Sequence, residues 1–368
     1  MLLRLSLTYD SELRTHTARD SLRIAQVAPL YESVPPALYG GTERIVSYLT
    51  EALVMQGHRV TLFASGDSKT SAELVSVCER AIRLDPSNPE PLALHVLMIE
   101  EVFQRSSEFD AIHFHVDGMH LPLARRHAVP MVTTLHGRLD LPGLDALYRE
   151  FSEQQLVSIS NAQRQPLEWA NWVGTVYHGL PSELHRPSYS TGRYLAFLGR
   201  IALEKRVDRA IAIARRVGIP LKIAAKIDAA DRGYFTSEIE PLIDGTLIEY
   251  VGEIDEREKT AFLGNAMALL FPIDWPEPFG LSMIEAMACG TPVIAFRCGS
   301  VPEVLDVGVT GYVVDDLEQA VACVEPVQRL DRRLCRETFE RRFSATRMAQ
   351  DYCAVYKKLG EKQWPLRA

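Results

Sequence analysis

Residues 22–65 read "LRIAQVAPLYESVPPALYGGTERIVSYLTEALVMQGHRVTLFAS". An apolar run, Leu22 to Leu30, gives way to a loop rich in Pro and Gly. Ile45, Leu49 and Leu53 then recur at helical spacing, Gly57 stops the pattern, and a second apolar run follows. Strand, loop, helix, strand is the βαβ unit of a parallel sheet. Residues 193–226, "RYLAFLGRIALEKRVDRAIAIARRVGIPLKIAAK", repeat the design. There Val207, Ile211 and Ala214 mark the helical face, and Gly218-Ile219-Pro220 ends it.

Outward from these two units, further short apolar runs alternate with helical patterns. "DAIHFHV", "PMVTTLHG" and "QLVSIS" belong to the first half; "LIEYVG", "MALLFPI" and "TPVIAF" belong to the second. Nearly continuous apolar strands of this kind are buried on both faces of a parallel sheet. The predicted fold is therefore α/β, two Rossmann-like domains in tandem with a cleft between them. The Pro-, Ser- and Gly-rich stretch 177–192 places the boundary: a first domain over 22–185 and a second over 186–345. Residues 1–21 read as a leader or extension. Residues 346–368 read as an amphipathic helix packing back on the first domain.

The 368-residue length fits two domains. A net charge of -8 argues against nucleic acid as a partner, without excluding a local basic pocket for phosphate. Six scattered cysteines with no CxxC pair predict reduced thiols, hence a cytoplasmic location. No apolar run is long enough to span a membrane. The Arg-rich stretch "RLDRRLCRETFERRF" allows peripheral contact with one, but its interspersed acids favour a solvated helix face.

Ligands of open parallel sheets sit at the carboxyl ends of strands, so the loops there are the candidates. Gly40 and Gly41 precede a helix starting near Thr42, where free amides attract anions; Thr42 as a plain N-cap is the simpler account. In "GRIALEK", Arg200 and Lys205 follow a strand and suit a diphosphate. His136, in "TLHG", ends another strand and suits a hydrogen bond to substrate or acid–base work. In "DWPEPFGLSMIEAMACG", Glu277 is pinned between two prolines before a helix, and Glu285 rides on that helix near its packed side. Phe279, Gly280, Leu281 and Ser282 span the mouth of that helix, whose first amides are unpaired. His113 and His115 share a strand face and raise the question of a metal pair, but no second ligand cluster stands at the right spacing. No metal is expected.

Taken in order, "YGGTE", "TLHG", "GRIALEK", the E-x7-E pair Glu277 and Glu285, and "GSVPEVLDVGVTGYVV" resemble the family-4 retaining glycosyltransferases of the GT-B fold. That group includes sucrose synthases and many bacterial sugar transferases. The resemblance implies transfer of a sugar from a nucleotide-sugar donor, with retention of configuration and without metal or other cofactor. It favours a UDP-sugar such as UDP-glucose over GDP-mannose. The acceptor is left as a sugar, a lipid-linked sugar or a small molecule. It further implies that Arg200 and Lys205 bind the diphosphate, Gly41 approaches it, Glu285 holds the ribose, and Glu277 and His136 contact the sugar. A nucleotide-sugar epimerase and a non-catalytic nucleotide-sugar-binding protein remain the alternatives. Two departures stand out. "AAKID" replaces a Gly-rich turn bordering the nucleotide, and "HGLP" replaces an Asn-Gly pair at the domain junction.

Overall fold

The computed structural model describes residues 21–38, 40–87 and 89–363, the last three by backbone alone. The proposed leader falls almost wholly outside these residues. Seven parallel strands form the first sheet: β1 (Arg23–Val27), β2 (Arg59–Phe63), β3 (Glu73–Val75), β4 (Ala111–Phe114), β5 (Met131–Thr134), β6 (Leu156–Ser158) and β7 (Trp172–Thr175). Their order is β3-β2-β1-β4-β5-β6-β7. The second sheet has six, β8 (Tyr194–Arg200), β9 (Leu221–Lys226), β10 (Ile248–Gly252), β11 (Ala266–Phe271), β12 (Val293–Phe296) and β13 (Gly311–Val314), ordered β10-β9-β8-β11-β12-β13. These are also parallel. The chain is an α/β protein built on two Rossmann-like parallel sheets.

The helices include α1 (Gly41–Met55), α2 (Pro91–Gln104), α3 (Val207–Val217), α4 (Glu256–Gly264), α5 (Leu281–Ala288), α6 (Arg332–Phe343) and α7 (Ala345–Gln363). The apolar stripe read in α1 faces inward, with Ile45, Leu49 and Leu53 buried against β1 and β2 residues. Helix α7 packs against α1, β4 and β5, so the chain leaves the first domain near residue 177 and returns at residue 344. The two crossings run side by side: Leu180 N–H donates to the Phe343 carbonyl (2.9 Å), and Ala345 N–H donates to the Leu180 carbonyl (2.8 Å). Gly179 makes this approach feasible, since an added Cβ would lie 2.3 Å from the Ser344 carbonyl oxygen.

The Arg-rich helix α6 differs from the solvated face expected of it. Arg332 is buried and donates to the carbonyls of Ser188, Ala266 and Gly264. Arg336, also buried, donates to the carbonyls of Ser182, His185 and Ala288. Both stitch the inter-domain connector to the second domain. A guanidinium can satisfy several carbonyls in one plane, which is why these charges tolerate burial. Among the described residues no helix is long and apolar enough to cross a membrane.

Candidate active site

In each sheet the strand order reverses at one place, between β1 and β4 in the first and between β8 and β11 in the second. The loops leaving β1, β8 and β11 flank these switch points, where ligands of such sheets bind. They meet across one cleft of about 330 Å³, open to solvent. Its walls include Gly40, Gly41, His136, Arg200, Lys205, Glu277, Phe279, Gly280, Leu281, Ser282 and Glu285, all the positions selected from sequence.

Two helix N-termini face each other there. Helix α1 begins at Gly41 with Gly40 at its cap (φ 150°), so Thr42 is not the N-cap. Helix α5 begins at Leu281 with Gly280 at its cap (φ 83°). Neither glycine offers a side chain to the first-turn amides; in α5 Met283 N–H turns back to the Gly280 carbonyl (3.1 Å), and the amides of Leu281 and Ser282 precede any intrahelical acceptor. A Cβ built on Gly41 would lie 3.7 Å from the Leu281 side chain, so the two starts are in near contact. Gly280 is required twice over: its φ is positive, and a Cβ would come within 2.6 Å of Met283 and 3.1 Å of Phe271. Two uncapped dipole ends converging on one space favour an anion.

The charged side chains are paired. Lys205 forms an ion pair with Glu277 and lies 4.5 Å above the Trp275 ring. The same Glu277 oxygen accepts from Trp275 Nε1 at 2.8 Å. Its backbone is fixed too, because Ser300 N–H donates to the Glu277 carbonyl and Gly299 (φ 53°) leaves room for that peptide. Arg200 donates to Glu204 at 2.6 Å and lies within 3.4 Å of Asp228 and Asp231. Glu285, nearly fully buried, accepts from Lys259 Nζ at 2.7 Å. Burial works against the charge of Lys259, but Glu285 and Glu256 hold its pKa above the usual lysine value. Glu256 in turn pairs with Arg44 of α1 at 2.5 Å, an ion pair between the domains.

His185, Glu256 and Glu285 bring ligand atoms within 4.8 Å of one another, a cluster no sequence spacing suggested. Lys259 and Arg44 already stand against those carboxylates, so its negative charge is balanced by cations. The ring nitrogens of the suspected metal pair are engaged in hydrogen bonds. His113 spends its ring nitrogens on Tyr356 and Thr134, and His115 on His136 and Gln26. Burial pushes His136 down to about 3, so its ring stays neutral and serves as a hydrogen-bonding group rather than an imidazolium acid.

Among the lining residues that escaped the sequence reading are Arg44, Glu256, Lys259 and His178. His178 is buried, stacks on His136 with ring centres 5.3 Å apart, and packs edge-on against Phe279. It is the His of "HGLP", the departure noted at the domain junction. That departure was the available signal.

Both halves of the chain match known families: residues 39–170 match "Glycosyltransferase Family 4", and residues 185–330 match "Glycosyl transferases group 1". Together these stretches make up more than half of the chain. It is a glycosyltransferase of the GT-B fold. This glycosyltransferase is 26% identical to the glycogen synthase of Mycobacterium tuberculosis, over 93% of its own length and 96% of the relative's. Its fold is similar to that of sucrose-phosphate synthase from Thermosynechococcus elongatus (TM-score 0.75, 19% identity, 92% of this chain and 99% of that one). It is similar also to Anabaena HepE solved in complex with UDP and glucose (TM-score 0.69, 15% identity, 92% and 100%).

Proposed function

We propose that this glycosyltransferase moves a hexose from a nucleoside diphosphate sugar to an acceptor with retention of anomeric configuration, and that a UDP-sugar such as UDP-glucose is the donor ahead of GDP-mannose. The observation that carries this reading is the pair of uncapped helix N-termini meeting in a cleft that also holds Arg200 and Lys205. Departure of the sugar leaves negative charge on the diphosphate, and preorganised amides and cations aimed at that charge lower the barrier. Arg200 and Lys205 would exchange their carboxylate partners for phosphate oxygens. Glu285, held on a buried helix beside Lys259, would accept from the ribose diol. Glu277, fixed on the loop after β11, would face the sugar. Its closeness to the diphosphate disfavours direct nucleophilic attack, which fits front-side transfer in which the leaving phosphate takes the acceptor proton.

The preference for UDP rests on the likeness to the Anabaena protein with UDP and glucose, an analogy of fold. With cations and helix ends neutralising the phosphates, the reaction needs no metal, and activity is expected to persist in EDTA. Chelation that abolishes transfer, with rescue by one divalent ion, would overturn this. The deciding experiment is a melting-temperature screen with UDP, GDP, ADP, UDP-glucose and GDP-mannose, followed by NMR of the anomeric proton of the product. A donor that binds raises the melting temperature by mass action. No shift with any nucleotide, or an inverted anomer in the product, would contradict the reading.

A further inference from the structure

Beneath the cleft wall runs a continuous row of buried hydrogen bonds. Tyr356, on α7, receives a bond from Gln26 Nε2 (3.0 Å) and meets His113 Nδ1 at 2.8 Å. Gln26, on β1, turns its Oε1 to His115 Nε2 at 2.9 Å. His115 Nδ1 meets His136 Nε2 at 2.8 Å. The last atom of the row, His136 Nδ1, is buried and has no hydrogen-bond partner among the described residues. His136 lines the cleft.

The row has a direction. An amide oxygen only accepts, so His115 carries its proton on Nε2 and offers a lone pair at Nδ1. That lone pair accepts from His136 Nε2–H. A neutral imidazole has one proton, so His136 Nδ1 is left as a bare acceptor. Turning the Gln26 amide over would reverse every bond and leave an N–H on His136 with nothing to receive it, and orphaned buried donors are rarer than orphaned acceptors.

We propose that Gln26, His115 and Tyr356 are positioning residues that hold His136 in the Nε2–H tautomer, so that its Nδ1 accepts a hydrogen bond from a hydroxyl of the donor sugar. The sugar part of this inference rests on the donor reading above; the tautomer part does not. The site then selects a hydroxyl at that position and rejects a group that only accepts, such as a carboxylate, because two lone pairs would face each other.

The test has two arms. In protein labelled with 15N-histidine, NMR of the wild type is expected to show His136 protonated on Nε2 and bare on Nδ1, with the signal assigned by its loss in His136→Gln. Gln26→Leu, and the milder Tyr356→Phe, are expected to move His136 toward the Nδ1–H form. A protonated Nδ1 in the wild type, or nitrogen shifts unchanged in both variants, would overturn the proposal. In the second arm, Gln26→Leu is expected to weaken binding of UDP-glucose about tenfold while leaving UDP unchanged, a loss on the scale of one hydrogen bond. GDP-mannose and GDP replace that pair if they are what the wild type binds. Equal losses for nucleotide and nucleotide sugar would mark a merely structural role and overturn the positioning role. If the wild type binds neither sugar nucleotide, the donor reading and the sugar arm fall together, while the nitrogen shifts still decide the row.

Discussion

The Glu277 carboxylate is held by Lys205 and Trp275, and its peptide is clamped by Ser300. Glu277→Ala, Arg200→Ala and Lys205→Ala are each expected to lower kcat/KM for transfer at least about tenfold, roughly 1.4 kcal/mol in the barrier. Near-wild-type turnover in any one would remove that residue from the mechanism. Gly299→Ala tests the clamp without touching a charged group. Its Cβ would fall 2.3 Å from the Glu277 carbonyl oxygen, at a φ that alanine resists. We expect a loss of about 1–3 kcal/mol in urea unfolding together with reduced transfer; full stability and activity would show that the loop yields freely. Glu277 was legible because its two prolines and the E-x7-E spacing are local. Arg44 was not, because on α1 it reads as an ordinary surface charge and its partner Glu256 lies far along the chain.

Among the elements, α5 and α6 contrast. Helix α5 declared itself through spacing, a glycine start and a strand before it. The charges of α6 suggested solvent, and nothing local reveals that backbone carbonyls from the connector would come to meet them. Arg336→Met keeps the aliphatic stem but orphans the carbonyls of Ser182, His185 and Ala288. A destabilisation of about 2–4 kcal/mol is expected by chemical denaturation, and a loss below about 0.5 kcal/mol would restore the solvated-face view of that residue. Strands β3 and β7, like β13, were not read as strands from the sequence. They are three or four residues long and only partly buried, so neither alternation nor a continuous apolar run could build up. The strands that carried the fold reading are wholly or largely buried, as in β4, β5, β6, β11 and β12.

At the scale of the molecule, His95, His113, His115, His120, His136 and His178 all have pKa values depressed by burial, to about 3 for His120 and His136. Unfolded histidines take up protons near pH 6.5, and these folded ones do so only at lower pH. The unfolded state therefore binds more protons as pH falls. Stability is complete above about pH 6.5 and declines below it, by up to about 1.4 kcal/mol per pH unit for each of His120 and His136 down to about pH 3. The urea midpoint should drop sharply between pH 7 and pH 5; an unchanged midpoint would mean that these rings reach water. The return of α7 to the first domain also sets an order of assembly during translation. Residues 345–360 leave the ribosome after the whole second domain, yet Tyr352 and Tyr356 complete the interior of the first through Thr134 and His113. The half made first is thus the half finished last. A nascent chain stalled at Ser344 should be cut by protease within residues 22–176 while the second domain resists, and equal resistance of both halves would contradict this.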